Sequence, residues 1–152
     1  MKLLDILDQD HIKADITSKG KREVLEELSE IVSAREGLNL KELVKVLEER
    51  EKLGSTGIGN GIAIPHGKLK GLKKLVASFG RSVKGVDFDS IDGKPTHLFF
   101  LLIAPENTAG IHLKALARIS RLLKDKKFRD DLLRAKTPEE IFKIIKEEDD
   151  KF

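Results

Sequence analysis

The sequence predicts a layered α/β domain, and three observations carry that prediction. Residues 97–103 read HLFFLLI, a run with no polar face, which belongs in the middle of a sheet covered on both sides. Amphipathic helical patterns stand before and after it, so helices are available for both covers. With 152 residues, 39% of them hydrophobic, the chain can enclose one core. A chain of that size buries about 68–70% of its unfolded surface.

In chain order, Leu3, Leu4, Ile6 and Leu7 form an apolar N-terminal segment. A first helix is predicted over 21–34, where Val24, Leu25, Leu28, Ile31 and Val32 share one face and charge occupies the other. Asn39, with Glu42 three residues on, caps a second helix that turns Leu40, Leu43, Val44 and Leu47 inward and stops at Gly54. Ile62, Ala63 and Ile64 make a short apolar strand, and Pro65 holds Ile64 extended, so His66 is expected where that buried strand ends. Residues 75–83 and 86–91 read as strands, Asp92-Gly93 as a turn, and 97–103 as the strongest strand, ended by Pro105. Helical patterns follow over 111–123 and 127–135, and a last one is capped by Thr137 with Pro138 first and Glu140 in the capping-box position. The acidic end, Glu147-Glu148-Asp149-Asp150, reads as a frayed tail.

Composition excludes several functions. The net charge of +3 comes from 29 basic and 26 acidic residues spread along the chain at helical spacing, the pattern of a solvated surface and not of a nucleic-acid footprint. The aromatics are seven Phe, without the basic–aromatic alternation of a base-stacking platform. There is no Cys, so no disulfide forms. The start lacks an apolar signal region, and no apolar run approaches the roughly 18 residues of a membrane span, so a cytoplasmic protein, not embedded in a membrane, is expected. Four histidines lack short ligand spacing, Cys partners or a carboxylate cluster, so no metal is expected.

The chemistry concentrates in residues 54–67, GSTGIGNGIAIPHG. Gly54, Gly57, Gly59 and Gly61 leave the backbone open, and several N–H groups can turn toward one anion. His66 is fixed between Pro65 and Gly67. From the residues alone, a phosphate-handling site and an ordinary turn with a surface histidine both stand. The loop is not GxGxxG and no Gly-Lys-Ser/Thr follows it, so neither a nucleotide cofactor nor an ATP-dependent kinase is supported. Arg50, in the last turns of the helix that leads into the loop, is placed either to grip a phosphoryl group with two hydrogen bonds or to complement the helix C-terminus. His112 shares an inward face with Leu116, Ile119 and Leu123 near a helix start, where the macrodipole disfavours protonation and favours an anion. A hydrogen-bonded histidine at a core boundary has the same signature.

The run STGIGNGIAIPHG is similar to the signature of the enzyme IIA domain of the bacterial phosphotransferase system, mannitol/fructose type. The similarity continues through Val86-Asp87-Phe88-Asp89 and Ile111-His112-Leu113-Lys114-Ala115-Leu116, nearly the whole chain. The resemblance implies that residues 1–152 are one type 2 IIA domain with a mixed central sheet flanked by helices on both sides. It implies that His66 is transiently phosphorylated, that Arg50, sixteen residues earlier, lies in the active site, and that His112 matches a second active-site histidine. It gives the protein the role of a phosphotransferase component with a phosphohistidine intermediate. On this reading the loop residues Ser55, Thr56, Gly57, Gly59, Asn60 and Gly61 stabilise the phosphoryl group, and Ile58 is a candidate for the docking face. His11 and His97 are read as structural.

The implied donor is the phosphorylated carrier protein HPr, charged from phosphoenolpyruvate by enzyme I. The implied acceptor is a separate IIB protein or a regulatory target. DFDSIDGKP and HLKALARISRLL resemble the nitrogen-regulatory branch most, while a fructose- or mannitol-specific transport subunit and a binding module that is never phosphorylated remain open.

Overall fold

The computed structural model describes residues 1–152, the side chain of Ala109 excepted. Two 3-10 turns, Leu3–Asp5 and Gln9–His11, lead into β1 (Ile12–Lys13), α1 (Lys21–Glu36) and α2 (Leu40–Lys52). Four strands follow in short steps, β2 (Gly57–Gly59), β3 (Ile62–Ala63), β4 (His66–Leu69) and β5 (Val76–Val86), and then β6 (Thr96–Pro105). The chain closes with α3 (Ala109–Leu122), α4 (Lys126–Arg134) and α5 (Pro138–Asp150). The sheet runs β1-β5-β6-β3-β2, with β4 also on β6. β5 and β2 are antiparallel to their neighbours β6 and β3, and the other pairs are parallel, so the sheet is mixed.

The doubly apolar run sits in β6 because each of its faces has a core of its own. Leu98, Phe100, Leu102 and Ala104 pack with α3, α4, α5 and the N-terminal turns. Phe99, Leu101 and Ile103 pack with α1 and α2 through Val24, Leu25, Leu28, Val32, Leu43 and Leu47. Edge-to-face aromatic pairs brace both sides, Phe79–Phe100 at 4.7 Å and Phe88–Phe99 at 5.4 Å between centroids. Each large apolar side chain buried this way contributes about 1.5–3 kcal/mol.

The helix ends follow from their caps. The Asn39 side chain accepts from the Glu42 N–H at 3.1 Å, Thr137 from Glu140 at 3.1 Å, and Gly37 ends α1 in the left-handed conformation at φ 66°.

Two predicted segments are corrected. The strand expected over 86–91 does not form: β5 runs unbroken to Val86 and the chain then leaves the sheet, with Asp89 at φ 53°. Phe88 misled the pattern, since it is fully buried against Phe99 from a loop. The acidic end is not frayed either. α5 continues to Asp150, and Asp149 is fully buried, accepting from the N–H groups of Leu3 at 3.0 Å and Leu4 at 3.2 Å and from Arg118 Nε at 2.8 Å.

Candidate active site

The glycine-rich run folds as a hairpin. β2 and β3 pair antiparallel, and Asn60 (φ 57°) and Gly61 (φ 76°) form the turn between them with both central residues left-handed, the geometry that suits an Asn-Gly hairpin. Beyond it, β3 and β4 lie on β6 in one register: Ile62 opposes Leu98, Ala63 opposes Phe99 and His66 opposes Leu102. Ile64 and Pro65 interrupt the ladder without shifting it, because proline has no N–H to donate. His66 therefore opens a strand, where the sequence placed it at a strand's end.

Strand alternation sets its direction. Ile62 and Ile64 face the core of α3–α5, and His66 has the same parity. Gly67 faces the other way, where an added Cβ would lie 2.6 Å from Val46 of α2, so α2 packs against the strand at that point. Across from His66 stands His112 on α3, its own N–H bonded to Thr108 O at 2.9 Å. The two imidazole centroids are 5.4 Å apart with the rings inclined by 65°. His112 is buried and its Nδ1 has no hydrogen-bond partner among the described residues.

His66 Nδ1 lies 2.8 Å from Ile64 O. A carbonyl only accepts, so Nδ1 carries the hydrogen and Nε2 keeps its lone pair. Burial lowers the basicity of His66 below its ordinary 6.5; the Ile64 carbonyl and Glu51 oppose that shift, and the Arg50 charge adds to it. His112 is lowered by burial, then by His66 and Lys68. Burial thus favours the neutral form of both imidazoles.

Arg50, half-buried in the last turn of α2, donates from NH1 to Gly54 O at 2.9 Å. The structure brings it, His66 and His112 together where β3 gives way to β4. The loop residues divide. Thr56 lies beside Ile64, two residues before His66, since Ile64 N–H donates to Thr56 O at 3.1 Å, and Ser55 precedes it. Their hydroxyls are engaged: Ser55 Oγ donates to Phe88 O at 2.8 Å and Thr56 Oγ1 to Glu51. The N–H groups of Gly54, Thr56, Gly57 and Asn60 are bonded to Glu51 O, Glu51 Oε1, Ser55 Oγ and Asp92 Oδ2. Of the expected cradle of glycine N–H groups, those of Gly54 and Gly57 are therefore already spent within the protein. Gly61 is five residues of extended chain, about 16 Å, from His66, Asn60 is one residue further, and with Gly59 they belong to the hairpin's far end. They border a hollow with His97, Lys126 and Arg129. His97 and His11 stand elsewhere, His97 donating from Nδ1 to Ser82 O at 2.9 Å and His11 Nδ1 accepting from Asp8 N–H at 3.2 Å.

Sequence reasoning missed Glu51. It is 9% exposed, accepts from Thr56 N–H at 3.0 Å and is paired with Lys21 Nζ at 2.9 Å. Beside Arg50 on a highly charged helix, it carries no signal that separates it from a solvated glutamate.

A neutral imidazole with one nitrogen locked and the other free, a second neutral imidazole facing it and a nearby guanidinium are the equipment of a phosphoryl carrier. Residues 5–148 match the family model for the phosphoenolpyruvate-dependent sugar phosphotransferase system, EIIA 2, and the chain belongs to that family. It is a phosphoryl-transfer component of that system. It is 39% identical over 145 residues to a nitrogen regulatory protein of Bradyrhizobium diazoefficiens, covering 95% of each. It is 40% identical to the fructose-specific EIIABC component of Bacillus subtilis, covering 98% of this chain and 24% of that protein. The crystal structure of nitrogen regulatory protein IIA-Ntr from Neisseria meningitidis superposes with a TM-score of 0.87 at 37% identity, covering 93% of this chain and 97% of that one. Among the described residues, no helix is long and apolar enough to cross a membrane.

Proposed function

We propose that this chain is a nitrogen-type regulatory phosphocarrier that accepts a phosphoryl group on Nε2 of His66 from a phosphorylated HPr-type protein. The observation that carries the reading is the Nδ1–H bond to Ile64 O, which leaves Nε2 as the nucleophile. In the transfer, the Nε2 lone pair forms the new N–P bond as the donor's N–P bond breaks, and the donor imidazole leaves with that electron pair. No metal is required. The Arg50 guanidinium balances the charge of the phosphoryl oxygens, and an imidazole N–H of His112 donates to them. Exposed Leu53 and Ile58 on one side of the site and Ile111 and Leu113 around His112 on the other offer a carrier protein an apolar rim.

Incubation with phosphoenolpyruvate, enzyme I and HPr is expected to add one acid-labile, alkali-stable phosphoryl group, and His66→Ala to abolish it. Label persisting in His66→Ala sinks the assignment. An unlabelled native protein favours a binding module that is never phosphorylated.

The Bacillus subtilis relative supports a second reading, a fructose- or mannitol-type subunit that passes the group to a separate IIB. The regulatory reading takes precedence because the nitrogen regulatory relative is matched over 95% of its length. The two separate on transfer: a regulatory protein retains the label when mixed with fructose- or mannitol-type IIB domains, and its two phosphorylation states recover different partners.

A further inference from the structure

Glu51 is a carboxylate at a place that disfavours one. It lies in the last turn of α2, at the negative end of the helix dipole, and it is buried. Lys21 Nζ at 2.9 Å, the Thr56 N–H at 3.0 Å and the Thr56 hydroxyl compensate it. These bonds do more than neutralise a charge, because of what Thr56 holds next. Thr56 O accepts the Ile64 N–H at 3.1 Å, and Ile64 O accepts His66 Nδ1–H at 2.8 Å. The Ile64 carbonyl is free for this because the β3 pairing ends at Ala63, and the next bond from β6, Leu102 N–H, is donated to Pro65 O at 2.9 Å.

We propose that Glu51 is a positioning residue for phosphoryl transfer, fixing His66 in its Nδ1–H tautomer by way of Thr56 and Ile64. The inference rests on His66 being the phosphoryl acceptor. The chain of bonds is mechanical, not electronic: the N–H and C=O used at Thr56 belong to different peptide units, as do those at Ile64. Glu51 anchors Thr56 to the end of α2, Thr56 sets the Ile64 carbonyl, and the carbonyl selects which ring nitrogen holds the proton. Lys21, held between Glu51 and Asp89 (3.6 Å) and over the Phe88 ring (4.8 Å), ties the start of α1 to the same anchor.

The test uses the full chain, with Glu51→Gln and Thr56→Val as variants, Thr56→Ser as the conservative control, and far-UV circular dichroism to establish folding. The first readout is the His66 tautomer, from two-bond ¹H–¹⁵N correlations at a pH where the ring is neutral. The second is the rate of labelling by phosphoramidate, a small donor that needs no protein docking. The native protein and Thr56→Ser show predominantly the Nδ1–H form. Glu51→Gln and Thr56→Val gain the Nε2–H form, and their labelling slows by about ten-fold. Unchanged tautomer ratios in the folded variants overturn the proposal. If Glu51→Gln does not fold, Thr56→Val decides, since it keeps the shape and the N–H bond while losing the hydroxyl. Absence of label in the native protein counts against the phosphoryl reading, while the tautomer ratio still judges Glu51.

Discussion

His66 and His97 stand toward opposite ends of the same stretch of sheet, and each donates Nδ1–H to a backbone carbonyl, Ile64 O at 2.8 Å and Ser82 O at 2.9 Å. Each also has arginine and glycine close by. They differ in what faces the rest of the ring. His66 meets a second, buried imidazole whose Nδ1 is unpartnered. His97 borders a hollow whose cations are committed, Lys126 to Asp130 at 2.9 Å and Arg129 to Leu123 O at 2.7 Å and Lys124 O at 3.0 Å. The lock fixes which nitrogen of the proposed acceptor would react, but both histidines share it. What sets His66 apart is the unspent polar atom across from it.

The contrast can be broken at several points. The largest effect expected is the complete loss of phosphohistidine in His66→Ala against full labelling of His97→Ala; mapping the label to His97 by mass spectrometry under alkaline conditions would reverse the comparison. Next come Arg50→Ala and His112→Ala. Each removes a charged or directed hydrogen bond of about 1.5–3 kcal/mol, so the phosphorylation rate drops roughly ten- to a hundred-fold with the fold retained. Native kinetics in both variants would reduce the pair to bystanders.

A subtler effect is on stability. The folded protein holds His66 and His112 below their ordinary 6.5, so on acidification the unfolded chain takes up these protons first. The stability from this source is full above about pH 6.5 and is lost as pH falls through the folded values. Urea midpoints should therefore decline from pH 7 to pH 5, and His66→Gln should flatten the decline. An identical slope in that variant would show that the imidazole is not strained toward neutrality. The smallest effect belongs to His97→Ala, whose transfer rate should stay within about two-fold of native, as for surface changes away from a site.

The sequence made some of this legible because the signal was local. The doubly apolar run at 97–103 had to lie between two helical layers, and Asn39 and Thr137 had to cap helices, since those constraints act within a few residues. His66, Arg50 and His112 were each placed by their neighbours and by resemblance, and the fold brings them together where β3 gives way to β4. Other features depend on longer range. Asn60-Gly61 between Ile58 and Ile62 is a hairpin signal, yet four glycines so close together carry an equal signal for anion binding. β4, with the sequence HGKL, has no alternation of its own and exists only through its register with β6. Glu51 and Asp149 are acidic residues in acidic surroundings, and only partners elsewhere in the fold explain their burial. For Glu51 the partners are Lys21 and Thr56, and for Asp149 they are Arg118 and the N–H groups of Leu3 and Leu4.

That last contact makes neighbours of residues 146 and 145 positions apart and binds both to α3 six residues beyond His112. Opening either the first turn or the last helix exposes this carboxylate, so the two are expected to exchange their amides together. Trimming the chain past Leu4 would strip two donors from a fully buried carboxylate, and the damage would surface in α5, at the opposite end of the sequence. Amide exchange in α5 is thus a gauge of the N-terminus, and a disturbance started at either end reaches the helix that carries His112 through one shared aspartate.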